Sequence, residues 1–106
     1  MKLIISKEKV PNFQADNFLR QAGWAYIFDK RREQGSYVKR LTRDFYPRLH
    51  LYVKETPDRF ILEVHLDQKQ ASYQGVRMHN AEYDGPVVET ALTDLAQNLR
   101  EYLDSF

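Results

Sequence analysis

The sequence predicts an α+β fold: an antiparallel sheet of about four strands in a meander, with a short N-terminal helix and a long C-terminal helix packed on one face. Three observations predict it. Residues 48–67 alternate apolar and polar side chains on both sides of a proline turn, as a half-buried hairpin does. Residues 86–106 repeat apolar side chains at helical spacing. The 106 residues give room for one core, so sheet and helix must bury each other, and the chain is expected to be a single domain over 1–106.

Leu3-Ile4-Ile5 suits a short edge strand. Ala15, Phe18, Leu19 and Ala22 follow the i, i+3, i+4, i+7 pattern, which predicts a helix over 13–22 with Asn12 as N-cap and Gly23 just past its end. From Trp24 the period becomes two: Trp24, Tyr26 and Phe28 alternate with Ala25 and Ile27. Polar residues 29–36, with Gly35, predict a turn, and Tyr37 to Leu41 the returning strand. Pro47 interrupts the pattern, because proline cannot donate to a central ladder.

Leu49, Leu51 and Val53 then share one face of a strand, and Phe60, Leu62, Val64 and Leu66 continue it after the turn Thr56-Pro57-Asp58-Arg59. Residues 68–84 show neither period, and a loop of that length in a compact domain is commonly functional or disordered. Gly85-Pro86 opens the last helix, since proline is favoured at a first helical position. Its apolar stripe is Val88, Leu92, Leu95, Leu99, Tyr102, Leu103 and Phe106.

Composition narrows the function classes. Cysteine is absent, which excludes a disulfide framework and thiolate metal sites. The apolar run at the start is short for a signal peptide, and no stretch approaches the roughly 20 apolar residues of a membrane span, so the cytoplasm is the expected location and no membrane partner is expected. Net charge is +1 but uneven: residues 1–54 hold twelve Lys/Arg against five Asp/Glu (+7), and residues 55–106 hold four against ten (−6). The split suits either a basic surface for an anionic partner or charges that intermix once the halves fold together.

A symmetric turn at Pro57-Asp58 pairs residues whose numbers sum to 115. It sets Leu51 opposite Val64 on the apolar face. On the other face Arg48 meets Asp67, His50 meets His65, and Tyr52 meets Glu63, each pair close enough for its side chains to interact. Two readings of this polar face stand. In one it is a solvated strand surface with an Arg48–Asp67 ion pair. In the other it is a divalent-metal or acid/base site: imidazole and carboxylate suit zinc-like ions, His65 and Asp67 leave one face at i, i+2, His50 adds a third donor, and His79 in the long loop a fourth. Glycine-rich phosphate loops and hydrolase nucleophile elbows are absent.

A basic, aromatic segment follows a different logic. Lys30, Arg31, Arg32, Lys39, Arg40, Arg43 and Arg48, interleaved with Tyr37, Phe45 and Tyr46, can neutralise phosphates and stack on unpaired bases. The competing reading is a solubilising hairpin with core aromatics. The long loop adds Arg77, His79, Asn80, Glu82 and Tyr83 as candidate ligand contacts, against a purely structural role in turns.

The segments Asp44-Phe45-Tyr46-Pro47-Arg48-Leu49-His50, His65-Leu66-Asp67-Gln68-Lys69 and His79-Asn80-Ala81-Glu82-Tyr83-Asp84-Gly85 resemble short uncharacterised bacterial proteins, over about residues 37–88. The resemblance carries no activity or ligand, and implies a free-standing small protein.

The leading expectation from the residues is a small non-enzymatic binding or interaction protein, with the ligand-facing surface at His50, Tyr52, Glu63, His65, Asp67 and the 77–83 loop. Nucleic-acid binding through residues 30–48 and a divalent-metal-dependent enzyme centred on His50, His65, Asp67 and His79 are the alternatives. A homodimer through the open sheet face or an edge strand would cover Tyr52 and Ile61.

Overall fold

The structure is a computed structural model and describes residues 1–30, 33–44, 47–67, 81–82 and 85–105. In chain order the elements are β1 (Lys2–Ser6), α1 (Ala15–Gln21), β2 (Ala25–Asp29), β3 (Gln34–Arg40), β4 (Arg48–Glu55), β5 (Arg59–Asp67), β6 (Ala81–Glu82) and α2 (Pro86–Asp104). The fold is α+β, as the periodicities predict. Five antiparallel strands run in the order β1-β5-β4-β3-β2, and the two-residue β6 also pairs with β5. The meander therefore covers β2 to β5. β1 departs from it by crossing to the far side of β5.

The hairpin of β4 and β5 has the register expected of a two-residue turn at Pro57-Asp58. Arg48 faces Asp67, His50 faces His65, Leu51 faces Val64 and Tyr52 faces Glu63. The Thr56 N–H donates to the Arg59 carbonyl at 2.9 Å, and the Thr56 hydroxyl donates to Asp58 at 2.8 Å, closing the turn without a bulge.

Alternation sends Leu49, Leu51, Leu62, Val64 and Leu66 to one face, where they join Phe13, Phe18, Leu19, Trp24, Val88, Ala91, Leu95 and Tyr102 in one buried cluster. Both helices thus cover the same face of the sheet. The stripe of α2 is rotated slightly from the expected one: Ala91 is buried, while Leu103 lies at the surface. No helix among the described residues is long and apolar enough to cross a membrane.

α1 is shorter than expected. Gln14, not Asn12, stands at its N-cap, with no side-chain cap bond. The reason is Phe13, which leaves the helical path to pack its ring edge-on to Phe60 and Tyr102, at 5.3 and 6.1 Å between centroids. At the other end Gly23 takes a φ of +94°, and its N–H donates to the Arg20 carbonyl, as the expected glycine terminator does. The Tyr37 hydroxyl donates to Asp16 at 2.6 Å and ties α1 to β3. Burial, then this bond to a carboxylate, pushes the Tyr37 hydroxyl well above the ordinary tyrosine value.

The charge halves intermix. β1 from the basic half lies against β5 from the acidic half, and Lys7 pairs with Glu55 at 2.7 Å.

Candidate functional site

The face of the hairpin turned away from the helices carries the histidines, since strand side chains alternate. Its middle is not the solvated surface that one reading of the sequence expects. His65 is 5% exposed and Ser36, from the neighbouring strand β3, 4%. The side chains of Arg48 and His50 are each 12% exposed and that of Asp67 18%. The rings of His50 and His65 lie 4.9 Å apart, and Tyr52 stacks on His65 at 5.6 Å.

Asp67 is the hub. His50 donates from Nδ1 to Asp67 Oδ2 at 3.0 Å, and His65 donates from Nε2 to Oδ1 at 2.7 Å. Arg48 Nε lies 3.7 Å from Oδ2. Burial works to raise the Asp67 carboxyl; the two imidazole hydrogen bonds and the charges behind them overcome it, and the group sits well below the ordinary aspartate value. His50 Nδ1 thus serves Asp67, and its Nε2 shares a hydrogen bond with the Ser36 hydroxyl at 2.8 Å.

The chain Ser36–His50–Asp67 has the atom order of a nucleophile–base–orienter relay. Its surroundings differ from those of such enzymes. Ser36 sits within a paired strand opposite Ile27, where backbone N–H groups serve the ladder rather than a developing oxyanion. What distinguishes the site is the convergence of three donors. One ligand atom from each of His50, His65 and Asp67 lies within 4.8 Å of the others.

Among the other ligand-facing candidates, Tyr52 joins the cluster through its ring. Glu63 is half-buried one pair further along, between Tyr52 on β4 and Lys2 on β1. Arg77, His79, Asn80 and Tyr83 lie outside the described residues. The backbone of Glu82 pairs with Leu66, and that of Ala81 with Asp67.

The basic candidates are dispersed. Lys39 lies on the helix-covered face opposite Leu49, where its Nζ donates to the Ala22 carbonyl at 3.1 Å and sits over the Trp24 ring. Arg40 pairs with Arg48 on the histidine face. Lys30 follows β2 at the hairpin end and Arg43 lies exposed between β3 and β4. Arg31 and Arg32 fall outside the described residues.

Ser36 is the site residue that sequence reasoning missed. The expected turn ran through it, so it had no face. The register of β3 was the missing signal, because Val38 pairs with His50 and so places Ser36 on the same face.

Comparison with protein-family models, with curated proteins and with solved structures found no match.

Proposed function

We propose that this chain is a ligand-binding domain whose histidine-bearing sheet face holds a divalent transition-metal ion between His50, His65 and Asp67. The observation that supports this reading is the convergence of two imidazoles and one carboxylate from a single hairpin, on the face opposite the core.

The donors suit the group. In tetrahedral zinc sites, ligand atoms at about 2.0–2.2 Å from the ion stand roughly 3.3 Å from one another. Here the nitrogen–oxygen separations are 3.0 Å to one oxygen of Asp67 and 2.7 Å to the other, and one donor atom from each residue lies within 4.8 Å of the rest, so an ion would replace the shared protons as the side chains adjust around it. His50 would bind through Nδ1 and turn its Nε2–H toward the Ser36 oxygen. This is the outer contact that orients metal-bound imidazoles elsewhere. Three protein donors are the number typical of zinc sites that keep a position open, so a water or ligand atom would complete the shell. When bound, the ion supplies a Lewis-acidic centre.

Calorimetric titration of zinc and of manganese into metal-free protein tests this, with Asp67→Asn and His65→Ala as controls and circular dichroism to show that each variant is folded. The expected result is one ion per chain, with affinity at least tenfold lower in both variants. No uptake at tens of micromolar metal, or equal uptake by folded variants, would sink the reading.

A further inference from the structure

Beside the His50 ring, on the same sheet face, the structure has a pocket of about 340 Å³ between the β2–β3 hairpin and β4. It falls within the size range of small-molecule sites. Its walls divide by chemistry. Ile27, opposite Ser36 on the same sheet face, makes an apolar side. Arg48, Lys30, His50 and Tyr52 make a polar and basic side.

The charge balance selects the ligand. Lys30 and Arg48 are positive, and Asp29 on the wall and Asp67 beside it are negative. These four cancel. A divalent ion held by His50, His65 and Asp67 adds two positive charges that these protein groups do not offset. Arg48 and the donor residues are mostly buried, so that excess acts at lower dielectric than in water and draws an anion strongly. The guanidinium plane of Arg48 suits carboxylate and phosphate oxygens.

We infer that this pocket takes a small organic oxyanion, its charged head toward Arg48, Lys30 and the His50 centre and its apolar or aromatic part against Ile27. The inference rests on the metal reading and deepens it by naming the ligand class. Carboxylates and phosphate monoesters share this chemistry.

The test uses the full chain loaded with zinc. Phenyl phosphate and benzoate are the anionic probes, benzyl alcohol the neutral probe and benzamidine the cationic one, all titrated by calorimetry. The expected result is binding of at least one anion, at least tenfold tighter than either control. It should weaken at least tenfold in metal-free protein, and several-fold on Lys30→Glu. Ile27→Asp, which places a carboxylate on the apolar wall of an edge strand, should weaken the anion at least tenfold while zinc uptake stays as in the unaltered chain. Zinc uptake without preference for the anions, or anion binding indifferent to zinc and to Ile27→Asp, overturns this inference and leaves the metal site standing. Failure of zinc uptake overturns both.

Discussion

Asp67 is asked to stay ionised in a place that disfavours charge, and it does so because two imidazoles donate to it. Replacing it with Asn keeps the shape and removes one acceptor and the charge, so Asp67→Asn is expected to destabilise the metal-free protein by about 1–3 kcal/mol at neutral pH. The pH dependence follows from the lowered pKa. The contribution is complete above the ordinary value of 3.8 and is lost as pH falls through the lower folded value. Denaturant unfolding should therefore show the gap between the two proteins holding from pH 7 down to the ordinary carboxylate range and closing in stronger acid. A gap that widens in acid would contradict this assignment. At this scale much of the site was legible. The pairing of His50 with His65 and of Arg48 with Asp67 follows from a two-residue turn and two apolar runs. Their burial was not, because side-chain exposure on the second face of a sheet depends on what packs across it, and alternation alone is silent on that.

Elements end where backbone geometry compels them to. Gly85 has a φ of +112° and ψ of 174°, a region open essentially to glycine, and its carbonyl accepts from Glu89 N–H at 2.9 Å as α2 begins. Gly85→Ala is expected to cost about 1–3 kcal/mol in stability, checked by thermal or denaturant unfolding, and a change of only a few tenths would show that this end of the helix relaxes. β1 to β5 and the long helix were legible from their periods, and their bounds fall within a few residues of expectation; β6 was not, because Ala81–Glu82 lies in the stretch 68–84 expected to be a loop. The start of α1 was not. Phe13 carries no local mark that separates a helical aromatic from one pulled aside by Phe60 and Tyr102, which are distant in sequence. β1 was recognised as an edge strand, but its partner could not be read, because a crossover to β5 leaves no trace in periodicity.

For the whole molecule, one core on one face of the sheet leaves the other face to carry charge. That division makes the metal reading a stability statement as well as a binding one. An ion that binds only the folded chain, at about a hundred times its dissociation constant, adds roughly 2.7 kcal/mol. In a domain of this size that corresponds to a rise in Tm of the order of 10 °C. Differential scanning calorimetry with and without zinc should show it for the unaltered chain and not for His65→Ala. An equal rise in both would assign the effect to ions elsewhere on the surface. In the sheet, β5 from the acidic half lies between β1 and β4, while β4, β3 and β2 from the basic half run side by side.

The turn from Thr56 to Arg59 has one more consequence. It makes the three proposed donors properties of a single hairpin, 48–67, with no contribution from either helix. Bringing them together closes only a short stretch of chain, and closure entropy grows with the logarithm of loop length. The centre is thus assembled by neighbours along the polypeptide.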